Sequence, residues 1–198
     1  MRTAVVSDIH GNVAALEAVV ADAESRGCSA FVNLGDILSG PLWPRETAEY
    51  LMARDWATIA GNHERQLLND PPERIGPSDR YTREALDQRH IEWLRSLPAT
   101  WQLSADVFLC HGTPTSDLTY FLEKADESGI RGATRDEVRE RAAGRPELLI
   151  LCGHTHVARL IELGDGRSVA NPGSIGLQAY ESDHPRLHIV ENGSPLAR

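Results

Sequence analysis

Short apolar runs recur along this chain, and each stops abruptly at a glycine or a knot of polar residues. Thr3-Ala4-Val5-Val6-Ser7 is the first such run and predicts a buried strand ending at Asp8-Ile9-His10-Gly11-Asn12. The period then changes. Leu16, Val19, Val20 and Ala23 recur at helical spacing, Asn12 suits the N-cap of that helix and Gly27 its end. Ala30-Phe31-Val32-Asn33-Leu34 predicts a second strand, ending at Gly35-Asp36, and Pro44 opens a helix through about Arg54. Trp56-Ala57-Thr58-Ile59-Ala60 predicts a third, ending at Gly61-Asn62-His63-Glu64. Strand, loop and helix, three times over, imply a parallel sheet with helical crossovers.

Residues 65–100 are polar, with one helix expected from about Asp79 to Leu97 and Tyr81, Leu86 and Trp93 as its buried contacts. Val107-Phe108-Leu109-Cys110 predicts a strand ending at His111-Gly112. Residues 113–146 form a long excursion with a charged helix around Thr134 to Ala143, expected to cap the site within a single domain spanning 1–198. Leu149-Ile150-Leu151-Cys152 predicts the strand that delivers Gly153-His154-Thr155-His156. Short alternating strands follow, with a hairpin at Gly164-Asp165-Gly166 and a last strand over 186–191.

Composition narrows the class. With 198 residues, 41% of them hydrophobic, the chain can bury one sizeable core. Its net charge of −9 argues against non-specific binding to nucleic acid or anionic membrane. Cys28, Cys110 and Cys152 are odd in number and far apart with no Cys-x-x-Cys pair, so neither a disulfide framework nor a thiolate zinc site is indicated; Cys110 and Cys152 read as buried small hydrophobes. No run reaches membrane-spanning length and no signal-peptide pattern opens the chain, so a cytoplasmic protein is expected.

The chemistry gathers at the strand ends. Asp8 and His10, Asp36, Asn62 and His63, His111, and His154 and His156 all follow predicted strands, and five of the eight histidines stand there. Ligands of such sheets bind beyond the carboxyl ends of the strands. Paired imidazoles beside apolar residues are costly if charged and unpaired, and neutral imidazole on a divalent metal removes that cost. Asp36, alone on its loop behind a glycine, suits a bridge between two ions. Asp8, His10 and His156 would complete one ion, and Asn62, His111 and His154 the other. Imidazole and oxygen donors without thiolate suit two divalent transition-metal ions (Mn, Fe, Zn, Ni or Co, with Mn the first choice in assays) rather than calcium. Two ions about 4 Å apart could hold a bridging hydroxide and clamp a phosphoryl group for in-line attack.

Those five blocks, in order across residues 5–176, resemble the calcineurin-like metallophosphoesterase superfamily. The Ser7-Asp8-Ile9-His10-Gly11-Asn12 opening and Asn171-Pro172-Gly173-Ser174-Ile175-Gly176 are similar to its small bacterial and archaeal phosphodiesterase branch. The resemblance implies an α/β fold, a four-layer αββα sandwich of two mixed sheets flanked by helices. It also implies the ligand division just given, with His63 acting on the leaving-group oxygen or scissile phosphate. The superfamily's Ser/Thr phosphatases follow Gly-Asp with an arginine that grips phosphate and its partnering aspartate. Here Ile37-Leu38-Ser39-Gly40-Pro41 has neither, which favours a phosphodiester or nucleotide polyphosphate over a phosphomonoester unless Arg45 or a residue of the excursion substitutes. Some small relatives have cysteine where His63 stands, and histidine favours a competent leaving-group acid.

The expected activity is therefore a metal-dependent phosphodiesterase acting on a small phosphorylated substrate, with dinucleoside polyphosphate hydrolysis or phosphomonoesterase activity as alternatives. Outside catalysis, a protein-interaction scaffold on the same fold is the rival. Asn12 reads equally as helix cap and substrate contact, and Tyr120 and Lys124 are candidate substrate contacts. The turn Asn171–Gly176 reads as structural, His90, His184 and His188 as surface residues, and Arg131, Arg135, Arg139, Arg141 and Arg145 as a solvated face.

Overall fold

Three parallel strands open the computed structural model, which describes residues 2–127 and 129–179 together with the backbone of 180–182 and 188–191. β1 (Arg2–Val6) lies beside β2 (Cys28–Asn33), and β2 beside β3 (Ala57–Thr58), both pairs parallel. The crossovers are α1 (Val13–Ser25) and α2 (Pro44–Met52), the second with proline in its first turn. All three strands therefore point their carboxyl ends to one edge.

The second sheet runs in the order β4, β5, β8, β10, β9, with β4 Thr100–Ser104, β5 Val107–Cys110, β8 Leu149–Leu151, β9 Arg159–Glu162 and β10 Ser168–Asn171. Its three middle strands are parallel and both edges antiparallel, and the β9–β10 hairpin turns at Gly164-Asp165-Gly166 as expected. Alternation along these strands builds two cores from one sheet. Leu109 and Leu151 face Val32, Leu34 and Ile59 of the first sheet. Phe108, Cys110, Ile150 and Val169 face outward onto Phe121, Leu122, Val138 and Ala142. A third core sets Val6, Ile37 and Leu38 against Leu16, Val20, Leu51, Leu67 and Leu94 of the helices. The result is the four-layer sandwich, and each fully buried Leu or Ile in it contributes about 1.5–3 kcal/mol. No helix of the described residues is long and apolar enough to cross a membrane.

The single helix expected from Asp79 to Leu97 is two. α3 (Asn62–Asn69) is followed by α4 (Pro77–Ala85) and α5 (Gln88–Ser96). Asp87 breaks the run by capping α5, its Oδ1 accepting from the N–H groups of Arg89 at 3.0 Å and His90 at 3.3 Å, while Leu86 turns extended. Leu86 and Trp93 pack on the third core as expected, but Tyr81 is 46% exposed. His90, expected on the surface, is fully buried, because its Nδ1 accepts from the Asp87 N–H and closes the cap. His184 lies outside the described residues.

Residues 113–146 divide between two places. Their first part runs past the loops at the strand ends. Then β6 (Glu123–Asp126), β7 (Gly129–Gly132) and α6 (Arg135–Arg141) join the outer layer. Of the arginines there, Arg135 and Arg139 are exposed as a solvated face would be, but Arg131, Arg141 and Arg145 are half-buried, and all but Arg135 take specific partners. Arg131 pairs with Glu137 at 2.8 Å, Arg139 donates to the Leu163 carbonyl, and Arg141 donates to those of Phe121 and Glu123. Arg145 pairs with Glu147 and lies over the Phe108 ring. Guanidinium groups, with five donors each, here reach the carbonyls of Phe121, Glu123 and Leu163. β11 (Ala179–Ser182) and β12 (His188–Glu191) form an antiparallel pair, the last of the described strands.

Candidate metal centre

The strand-end loops are held in an unusual backbone conformation. Asp8, His10, Asp36, His154 and His156 all have positive φ, between 50° and 72°, where L side chains are strained. Each such residue costs on the order of 1–3 kcal/mol, and strain of this kind concentrates at functional sites. A zipper holds the first two loops: Asp8 N donates to Gly35 O, His10 N to Asp36 O and Gly11 N to Ile37 O, at 2.9–3.1 Å. Two glycines let the loops close. A Cβ on Gly61 would overlap Asp36 Oδ1, and one on Gly153 would overlap Ser7 Oγ and stand 2.8 Å from Asp8 Oδ2. The Asn171–Gly176 turn is structural, as expected. Asn171 Nδ2 donates to Gly153 O, and Ile175 N and Gly176 N donate to Ser7 O and Asp8 O.

These loops bring Asp8, His10 and His156 into one group and Asp36, His111 and His154 into another, with donor atoms in each within 4.8 Å of one another. His156 Nε2 lies 3.3 Å from Asp8 Oδ1 and 3.2 Å from His10 Nε2. His111 Nε2 lies 3.1 Å from Asp36 Oδ2, 3.2 Å from Asn62 Oδ1 and 4.0 Å from Asp8 Oδ1, so the groups share an edge. The carboxylates are used alike. Asp8 Oδ2 accepts from His154 N–H and Asp36 Oδ1 from His63 N–H, which turns the other oxygen of each inward.

Several imidazoles are oriented from behind. His10 Nδ1 donates to Ser39 O at 2.6 Å and His111 Nδ1 to Leu34 O at 2.8 Å; a carbonyl only accepts, so Nε2 of each neutral ring is a lone pair facing inward. His154 does the reverse, with Nε2 on Leu118 O at 3.2 Å and Nδ1 left for the pit. Lone pairs thus face carboxylate oxygens, and Asp8 Oδ1 is buried with no hydrogen bond among the described residues. A proton on a facing imidazole or a bound cation relieves that opposition. Burial alone would raise both aspartates, but the facing imidazoles outweigh it and hold them below the ordinary carboxyl range. Burial pushes His10 down to about 4. At His111 burial works the same way but the charge of Asp36 prevails, raising it to about 10. The donor set fits a pair of divalent ions with nitrogen and oxygen ligands.

His63 stands at the rim, its ring 5.5 Å from that of His10 and its side chain 30% exposed. Its Nδ1 lies 3.0 Å from Asp79 Oδ1, and Asp79 also accepts from the Ser39 hydroxyl. Burial disfavours charge on His63, but Asp79 and Asp36 outweigh it and raise the ring to about 9. Two residues here went unassigned in the sequence. Glu64, fully ringed by backbone, accepts from Asp36 N, Ile37 N and Gly61 N at 2.8–2.9 Å and ties two strand-end loops together. Its only signal is an acid at the third helical position, which reads as an ordinary capping box. Asp79 reads as an acid in a first helical turn.

Asn12 caps α1, accepting from Ala15 N at 3.1 Å. Tyr120 packs its ring edge on His154 at 5.2 Å, Lys124 pairs with Glu137 at 3.1 Å and Arg45 pairs with Asp87 at 3.1 Å.

Residues 1–191 match the model of the calcineurin-like phosphoesterase superfamily domain. An uncharacterised protein of Methanocaldococcus jannaschii is 31% identical over 102 residues; the match covers 48% of this chain and 41% of that protein, so the chain spans less than half of the relative. A metallophosphoesterase from Sphaerobacter thermophilus superposes with a TM-score of 0.69 at 24% identity, covering 96% of this chain and 88% of that one. A candidate diadenosine tetraphosphatase superposes with a TM-score of 0.59 at 17% identity, covering 96% and 93%. Likeness at such identities is a likeness of fold.

Proposed function

The chain belongs to the calcineurin-like phosphoesterase superfamily, and from that premise we propose that it is a dinuclear metal-dependent phosphoesterase acting on a phosphodiester or a nucleotide polyphosphate. The observation that carries this reading is the pair of donor groups meeting at Asp8 Oδ1, a buried oxygen 3.3 Å from His156 Nε2 and 4.0 Å from His111 Nε2. Asp8, His10 and His156 would hold one ion and Asn62, His111 and His154 the other, with Asp36 placed to serve both. When bound, the ions polarise the phosphoryl oxygens and make a nucleophilic oxygen available at neutral pH.

The protein's own groups do the rest. His63 keeps Nδ1 on Asp79, which leaves Nε2 as the edge that meets substrate. As the P–O bond breaks, its electron pair stays on the leaving oxygen, which takes the Nε2 proton; the new P–O bond is to water oxygen, whose proton goes to solvent. A monoester dianion asks for a further cation. Arg65 shares a groove with His111 but is held by Asp117 at 2.5 and 3.0 Å, and Arg45 is held by Asp87. This disfavours the monoester. The candidate tetraphosphatase of the same fold supports a nucleotide polyphosphate as the other choice.

The test is a panel run on protein reconstituted with Mn, Ni, Zn or Mg. Bis-p-nitrophenyl phosphate or diadenosine tetraphosphate is expected to exceed p-nitrophenyl phosphate in kcat/KM by about tenfold or more. A metal-loaded protein inert on all three is no phosphoesterase, and pull-down partners would then favour the scaffold.

Metal uptake is also expected to release protons. Without metal, His111 carries a proton at neutral pH because its value stands at about 10, and a ligating imidazole must lose it. About one proton should appear per site filled by His111, and affinity should weaken as pH falls. Titration calorimetry in two buffers of different ionisation enthalpy measures this; an identical heat in both contradicts it.

A further inference from the structure

We propose that Asp79 is the positioning residue of the reaction, a carboxylate brought in on α4 that fixes the orientation of His63, with Ser39 linking this acid to the metal ligand His10. The inference rests on the phosphoesterase reading. Its ground is the way α4 is seated. A helix normally buries an apolar stripe. The buried residues of α4 are instead Asp79, at 5% exposed, and Thr82, fully covered. Burying such groups is costly unless each has a partner, and each finds one at or beside the loop that follows Asp36. Thr82 Oγ1 donates to Leu38 O at 3.1 Å, Tyr81 OH donates to Leu42 O at 3.1 Å, and Asp79 accepts from the Ser39 hydroxyl. Asp79 Oδ1 also takes His63 Nδ1 at 3.0 Å, across sixteen residues of chain.

Ser39 works in two directions. Its hydroxyl fixes Asp79, and its carbonyl accepts from His10 Nδ1 at 2.6 Å. One residue therefore sets the tautomer of His10 and, through Asp79, the ring nitrogen that His63 presents to substrate. With Nδ1–H held by Asp79, only Nε2 can give a proton to the leaving oxygen. Asp79 touches neither substrate nor a donor group of the metal centre, so its removal should matter in proportion to how much the leaving group needs that proton.

The test compares Asp79→Asn with wild type, both metal-loaded, on bis-p-nitrophenyl phosphate and on a dinucleotide, a dialkyl diester whose alkoxide leaving group needs the proton. Wild-type turnover of both substrates is expected. Asp79→Asn should lower kcat about 10- to 100-fold on the dinucleotide, leave KM and bound metal unchanged, and cost less than about threefold on the activated aryl diester. Asp79→Glu should recover part of the loss. In a His63→Ala background, Asp79→Asn should add nothing, as expected of residues acting as one unit. Thr82→Val removes another α4 contact without touching His63, and should show no dependence on the leaving group. Equal losses on both diesters, or a loss that persists in the His63→Ala background, would show that Asp79 merely docks α4 and overturn the inference alone. A metal-loaded wild type inert on both diesters and on diadenosine tetraphosphate overturns the phosphoesterase reading and this inference with it.

Discussion

Asp36→Ala is expected to abolish stable binding of both ions and to cut kcat/KM by about a thousandfold or more, roughly 4 kcal/mol of transition-state stabilisation. The reason is geometric. Asp36 Oδ1 holds the His63 N–H, while Oδ2 stands 3.1 Å from His111 Nε2 in the second donor group. Its loop is zipped to that of Asp8 and His10 in the first group. Removing its charge leaves His111 without the carboxylate that faces it, and leaves each ion one anionic donor short. The fold itself should survive, because the loop is held by backbone bonds from Asp8, His10 and Gly11 and by the Glu64 carboxylate. Two measurements separate these effects. Elemental analysis should find under one ion per chain, where the parent holds about two. Thermal melts in chelator should be close to those of the parent, while the stabilisation on adding Mn, which follows RT ln(1 + [L]/Kd), should vanish. A variant that keeps both ions and its turnover would remove Asp36 from the centre.

The strand ends were legible because two cheap signals coincide there. An apolar run that stops at glycine marks a buried strand and its turn, and a histidine or aspartate at that place has no structural reason to recur. The parallel first sheet follows from the same pattern, and the outer and inner cores follow from alternation in Val107–Cys110 and Leu149–Leu151. The layering of two sheets came from the resemblance, since periodicity cannot say which strands share a sheet. What could not be seen depends on contacts distant in sequence. His90 is buried because Asp87 chooses to cap rather than continue a helix, a local competition that the helical spacing of 79–97 conceals. Asp79 meets His63 only because α4 turns back over the Asp36 loop. The arginines of 131–145 look like a charged surface until the carbonyls they satisfy are placed beside them. The positive φ values are the least legible feature, since nothing in an aspartate or histidine announces a left-handed backbone.

His63→Ala should behave in the opposite manner to Asp36→Ala: ions kept, rate lost. Its ring faces the pit from the rim and lies outside both donor groups, so elemental analysis should still find the parent's metal content. The expected loss in kcat is about 100- to 10,000-fold on a substrate with a poor leaving group, the ordinary range for a positioned acid. The pH profile adds a second check. Asp79 and Asp36 raise His63 to about 9 against the effect of burial, so the ring is protonated at neutral pH and loses its proton as pH rises. Bound divalent cations nearby push that value down, which sets the alkaline limb of kcat at or below about pH 9. Activity that needs the proton is present below that limb and falls above it; in His63→Ala the limb should disappear, because no group remains to titrate there. Unchanged turnover of the poorest substrate, or an alkaline limb that survives the substitution, would assign the proton to another donor. Such a result would leave the metal centre as a Lewis-acid site, since neither donor group, Asp8, His10 and His156 on one side and Asp36, His111 and His154 on the other, includes His63.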